Sequence, residues 1–198
     1  HIDPENSEIL YATAHQRRRH VFTYVGGGAG SKIYKSIDGG KNWRELKSGL
    51  PSAIKGRIGM DISPSNPDFL YALVEAENNQ QGLYFSNNKG ESWKKVNKYV
   101  TSGNYYQEVF CDPKDPKKVF FMDTWLHHTS DGGKTVVKTG EKSKHVDNHC
   151  IWINPNDTDH WIVGCDGGLY ETWDHATNWH YKPNLPITQF YKVAVDND

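Results

Sequence analysis

The chain has no long apolar run. Nothing in its 198 residues approaches the roughly 18 consecutive apolar residues of a membrane-crossing helix, so no membrane span is expected. It also lacks an excess charge of either sign, with 23 Lys and Arg facing 24 Asp and Glu. A nucleic-acid partner, which calls for a basic footprint, is therefore not expected. The one basic run, Arg17-Arg18-Arg19, is short and reads as a solvated loop. Cysteine is scarce: Cys111, Cys150 and Cys165 make an odd count, which excludes a disulfide framework. Cys150 and Cys165 are spaced to fall on adjacent strands, which leaves one bridge open. Long runs of Ala, Leu, Glu and Lys are missing too, and with them long helices. No leader opens "HIDPENSEIL", so either one was removed or the residues belong to something longer.

What is abundant is glycine and aromatics, 18 Gly with 7 Trp and 11 Tyr, and they recur in order. "SIDGGKNW" at 36 returns as "SNNKGESW" at 86, "TSDGGKTV" at 129 and "TWDHATNW" at 172. A second motif interleaves with it. "IDPENSEILYA" at 2 returns as "ISPSNPDFLYA" at 62, "CDPKDPKKVFF" at 111 and "INPNDTDHWIV" at 153, and "VDND" at 195 begins another copy. From Asp112 to Asn154 to Asp196 the step is 42 both times. Two unrelated motifs on one period indicate a repeat architecture.

Each unit reads as four short strands. In the second, "GRIGMDIS", "DFLYALVE", "GLYFSN" and "SWKKVN" are separated by Pro, Gly and Asn turns. Four-stranded units of this length predict an all-β fold, a β-propeller. The units fall at about 1–49, 50–100, 101–142 and 143–185, with the first strand of a fifth at 186–198. The first carries an insertion, "HQRRRHVFTYVGGGAG", between its second and third strands.

The Asp/Gly/Trp stretch sits in the turn between third and fourth strands. An Asx side chain there accepts bonds from its own turn, and Gly40 or Gly90 takes positive φ without a steric penalty. Trp43, Trp93 and Trp179 then start the outer strand and wedge between sheets. Asn88 replaces the aspartate in one copy, which argues for a structural turn and against calcium.

The pattern Ser/Thr-x-Asp-x-Gly-x-x-Trp resembles the Asp-box, or bacterial neuraminidase repeat. Together with "GRIGMDISPSNPDFLYA", "HVDNHCIWINPNDTDHWIVGCDGGLYETWD" and "LPITQFYKVAVDND", it resembles the large bacterial Asp-box propellers of glycosyl-hydrolase-like type, related to the sortilin-type propeller. The resemblance covers essentially the whole chain. It departs at Ala176, in place of glycine, and at Val136, in place of tryptophan. It implies a larger propeller, of which this chain supplies four blades and a fraction and its own chain or another subunit the remaining blades; the alternative is that the C-terminal strand closes the ring by completing the first blade. It also implies a secreted, periplasmic or cell-surface location.

The family layout implies that first strands line a central channel. The face opposite the Asp-box turns then carries the binding site, at the starts of first strands and the ends of second strands. Alignment on Pro64, Pro113, Pro155 and Asn197 places Gly56/Ile58, Tyr105/Gln107, Asp147/His149 and Gln189/Tyr191 at this mouth. Glu75, Asp123, Trp125 and Asp166 join them from second strands, and Arg57 reaches in from one position out of phase. In "HVDNH", the alternation of His145, Asp147 and His149 would place all three on one strand face, as ligand-binding groups or as ligands for a divalent metal. His127 and His128 add imidazoles nearby. No other cofactor is expected.

Three functions follow. The leading one is a glycan- or protein-binding module, using Arg57, Tyr105, Gln107, Trp125, His145, His149, Gln189 and Tyr191. The alternative is a glycoside hydrolase with paired carboxyls drawn from Asp123, Asp147 and Asp166, and with Tyr105, Tyr106 and Trp125 stacking on sugar rings. The third is a scaffold that contributes only blades. Sialidase chemistry is disfavoured, because outside 17–19 the only arginines are Arg44 and Arg57.

Overall fold

The computed structural model describes residues 1–184. Gln189, Tyr191 and the start of a fifth unit lie outside the described residues. Among those described every regular element is a strand, and no helix is long and apolar enough to cross a membrane.

Three sheets have four strands and run antiparallel in chain order. The first of these holds β6 (Lys55–Ile62), β7 (Leu70–Ala76), β8 (Gly82–Ser86) and β9 (Lys94–Asn97). The next holds β10 (Val109–Cys111), β11 (Val119–Phe121), β12 (His127–Thr129) and β13 (Val137–Lys138). The last holds β14 (Asn148–Ile153), β15 (Trp161–Cys165), β16 (Gly168–Thr172) and β17 (His180–Tyr181). The leading sheet has three strands, β1 (Leu10–Ala14), β4 (Lys32–Ser36) and β5 (Arg44–Leu46). Its innermost position is held by the Ile2–Leu10 bridge alone. The insertion forms a separate hairpin, β2 (Arg18–His20) with β3 (Thr23–Val25).

The sheets stack face to face, and the core lies between them in three slabs. Tyr11, Ile33 and Leu46 of the first sheet meet Ile58, Met60, Leu70, Ala72 and Val74 of the second. Tyr71, Leu73 and Leu83 on the second sheet's other face meet Val109, Val119 and Phe121. Phe120, Met122 and Leu126 meet Ile151, Ile153, Trp161 and Val163. This explains why "LYALV" reads as an unbroken apolar run: a strand covered on both faces has no solvent side.

The Asp-box turns repeat bond for bond. The hydroxyl of Ser36, Ser86 and Thr129 accepts the amide of Gly40, Gly90 and Gly133 at 2.9–3.0 Å. Thr172 does the same for Ala176 at 3.1 Å. Asp38, Asn88, Asp131 and Asp174 each accept an amide four residues on, at 2.9–3.0 Å. Ala176 holds φ +66° where the other copies have glycine. Trp93 and Trp179 are buried between sheets, whereas Trp43, with no sheet ahead of it among the described residues, is 44% exposed.

The two spaced cysteines do fall on adjacent strands, but no bridge forms. A bulge between Asn148 and Cys150 sets Cys150 opposite Gly164 and Cys165 opposite Asn148. All three thiols are free.

Candidate functional site

Antiparallel order puts the starts of first strands and the ends of second strands at one end of the stack, opposite the Asp-box turns. At the seam of the third and fourth sheets, backbone bonds fix the candidates in a row. The Asn148 amide donates to Asp123 O at 2.9 Å, Asp147 N to Thr124 O at 2.8 Å, and Asp166 N to Asp147 O at 3.2 Å.

On that row two pairs form. The Tyr106 hydroxyl donates to Asp147 Oδ1 at 2.6 Å. His149 Nε2 lies 2.8 Å from Asp166 Oδ1. The Tyr106 and His149 rings stack at 5.4 Å with 23° between planes, which joins the pairs. Burial, with the Asp147 carboxylate beside it, pushes the Tyr106 phenol up to about 12. Tyr106 therefore stays a donor through neutral pH. One edge of the cluster is open to solvent, the His149 side chain being 43% exposed and that of Asp166 62%, while Tyr106 is buried.

A buried network holds the loop that carries Asp147. Lys144 Nζ donates to Glu141 Oε1 and to His145 O, both at 2.8 Å, and to Asn148 Oδ1. The Lys144 and Glu141 side chains are 0% and 2% exposed. Asn148 Nδ2 reaches Asp123 O at 3.2 Å and Glu141 Oε1 at 3.0 Å, while Glu141 Oε2 accepts the Leu126 amide at 3.1 Å. The network ties the third sheet's second-strand end to the entry of the fourth.

Several expectations are corrected here. His145, Asp147 and His149 do not share a strand face, because β14 starts at Asn148 and Asp147 holds φ +62°, a left-handed turn. His145 Nδ1 turns instead to Val146 O at 2.8 Å. Among the described residues no three His, Cys, Asp or Glu side chains converge to hold a metal, so this set does not fit a metal ion. Gln107 is 1% exposed. Its amide is committed to Thr101, and to Leu73 O at 3.1 Å, so it is part of the core and not a ligand contact. Its φ of +133° breaks the two-residue alternation, and Tyr106 reaches the mouth cluster where Tyr105 and Gln107 were expected.

The remaining candidates divide. Arg57 pairs with Glu108, and its amide donates to Glu75 Oε2 at 3.0 Å. Asp123 faces other partners: the Tyr99 hydroxyl lies 3.3 Å from Asp123 Oδ2 and 3.1 Å from His127 Nδ1. Burial raises the Tyr99 phenol as well. Trp125 is 43% exposed, but one face is covered by Lys138 Nζ at 3.1 Å from its centroid. Tyr105 is 57% exposed, with its ring 6.4 Å from that of Tyr106. His128 bonds Thr139 at 2.8 Å, away from the cluster. Sequence reasoning missed Tyr99, Glu108, Glu141 and Lys144. Only the charge of "GEKSKHVDN" ahead of an apolar strand pointed at the last two.

Comparison with known proteins matches this architecture. The sequence profile of the Sortilin-Vps10 family (sortilin, neurotensin receptor 3) fits residues 1–124. Sortilin of Rattus norvegicus is 28% identical across all of this chain, which spans 22% of that protein's length. Among solved structures, an ancestral GH74 enzyme superposes with a TM-score of 0.62 at 13% identity, over 92% of this chain and 23% of its own. The GH74 enzyme of Niastella koreensis gives 0.58 at 18% identity, over 90% of this chain and 29% of its own. At those identities the likeness is one of fold.

Proposed function

The chain belongs to the Sortilin-Vps10 family of Asp-box propellers, and on that footing we propose that it acts as a binding module for glycan or protein ligands. The contact surface is the channel-mouth face between the third and fourth blades. The observation that carries this reading is the cluster of Tyr106, Asp147, His149 and Asp166, buried at Tyr106 and open to solvent at the His149–Asp166 pair. Two carboxylates and an imidazole present acceptors and a donor beside the exposed ring of Tyr105. Hydroxyls of a sugar or amides of a peptide satisfy such a set, with the ring as a stacking platform. Further blades would complete the ring and cover the outer sheet faces, and the protein would work outside the cytoplasm.

A hydrolase reading has one observation in its favour: Asp147 and Asp166 flank the same ring stack. Against it, Asp166 is open to solvent and Asp123 is turned to Tyr99 and His127. A glycosidase instead sets two carboxyls facing each other across one bond.

The test presents the full-length protein to a glycan array and to immobilised peptides, with a reducing-end assay on any glycan that binds. Binding without turnover, weakened by Tyr106→Phe and by Asp166→Asn, is the expected result. Release of reducing ends abolished by Asp147→Asn would replace the module with a hydrolase.

A further inference from the structure

The insertion in the first unit is built to hold apolar side chains out in water. Val21 and Phe22 form the tip of the β2–β3 hairpin and are 104% and 90% exposed. A floppy loop would fold such residues back, but this one is fixed at its base. Gly28 N donates to Lys55 O at 3.0 Å, Gly30 N to Gln16 Oε1 at 2.8 Å, and His15 Nε2 lies 3.0 Å from Gly26 O. The base is packed so closely that a Cβ on Gly27 would meet Lys55 O at 2.7 Å and one on Gly28 would meet Gln16 at 2.3 Å. Above the base, Arg18 pairs with Val25, Arg19 with Tyr24 and His20 with Thr23.

The charge is one-sided. No Asp or Glu occurs from Ile9 to Ile37, while Arg17, Arg18 and Arg19 all lie behind the tip. Alternation on the ladder sends Arg18 and Arg19 to opposite faces of the hairpin. Arg17 follows Arg19, with its guanidinium 5.8 Å from the Tyr24 ring. Cations therefore flank the tip on both sides. From Val21 back to Arg19 is about 7 Å at strand rise, within the about 5–10 Å to which interfacial apolar groups sink below lipid headgroups.

We propose that this hairpin is a wedge for an anionic lipid surface, with Val21 and Phe22 entering the acyl boundary and the three arginines meeting phosphate headgroups. An acidic protein patch would engage one face of the hairpin, whereas a bilayer receives the tip with cations on all sides. Because the hairpin joins the end of β1 to the start of β4, it rises from the mouth end of the stack. The inference stands apart from the binding-module reading and uses none of its residues.

Flotation of the full-length protein with phosphatidylcholine vesicles, with and without phosphatidylglycerol, tests it. The protein is expected to float with anionic vesicles and to be released by salt. The Val21→Ser/Phe22→Ser double variant should bind at least tenfold more weakly at an unchanged melting temperature. Arg17→Gln/Arg18→Gln/Arg19→Gln should lose the salt dependence. A Phe22→Trp reporter should shift its emission to the blue on anionic vesicles. Failure to float, an unshifted reporter, or undiminished binding by the serine variant would overturn the proposal. So would capture on poly-glutamate resin that the serine variant retains in full.

Discussion

The two ends of these sheets are made from the same strands, yet side-chain bonds repeat at one end and differ from blade to blade at the other. At the Asp-box end, a hydroxyl and an Asx side chain close the same turn in every blade, from Ser36 and Asp38 through Thr172 and Asp174. At the mouth one backbone bond recurs, from Glu77 N to Ile54 O, Met122 N to Glu108 O and Asp166 N to Asp147 O, but the side-chain partners change. Arg57 meets Glu108 in one place, Tyr99 meets Asp123 and His127 in the next, and Tyr106 meets Asp147 beside the His149–Asp166 pair. A demand of the fold falls on every blade alike and leaves copies. A demand of ligand binding, as proposed for the mouth, would fall on one place and leave a single arrangement.

The sharpest way to break that contrast is to ask which end bears more stability. Lys144→Ala strands the Glu141 carboxylate and the Asn148 carbonyl without their buried partner. It should cost about 3–5 kcal/mol in urea unfolding, so the unique end also contains a structural support. Ser86→Ala removes the acceptor for the buried Gly90 amide. It should cost about 1–2 kcal/mol, and the equivalent change at Ser36 a similar amount, as copies require.

Much of this contrast was legible beforehand. The fold was readable because two motifs share a period, and every unit states the same turn again. The mouth was readable only as a region. Counting back from Pro113 and Pro155 assumed unbroken two-residue alternation, and Gln107 and Asp147 each break it with a positive φ. Those reversals moved Tyr106 into the site, moved Gln107 into the core and took the metal triad apart. The Lys144 network showed in sequence only as a local run of charge, because its bonds to the backbone of the third sheet through Asn148 and Glu141 exist only in the packed seam.

Smaller effects sharpen the comparison further. Ala176 is the copy that departs from glycine, at φ +66° and 5% exposed. Ala176→Gly relieves a left-handed alanine, about 1–2 kcal/mol, and gives up a buried methyl, about 0.8 kcal/mol. Thermal unfolding should show a net gain of about 0.2–1.2 kcal/mol.

Acid distinguishes the copies least strongly but most selectively. Bonds from the Asn42 amide and side chain hold the Asp38 carboxyl down to about 2. Asp131 and Asp174 are lowered by the Thr135 amide and the Asn178 side chain. A carboxyl lowered in the folded state stabilises it above the ordinary carboxylate range, and this is lost as pH falls toward 2. Asn88 has no such proton to take up. Asp38→Asn should therefore flatten the fall of melting temperature between pH 4.5 and 2.5, as followed by circular dichroism.

The most direct test measures ligand affinity and melting temperature on the same four proteins: Tyr106→Phe, Asp166→Asn, Ser86→Ala and Thr129→Ala. The probe is the strongest binder from the glycan and peptide arrays. The account predicts that the two mouth variants lose affinity at near-native melting temperature, while the two Asp-box variants melt earlier and bind as before. Unchanged affinity in both mouth variants, with loss in the Asp-box pair, would contradict it.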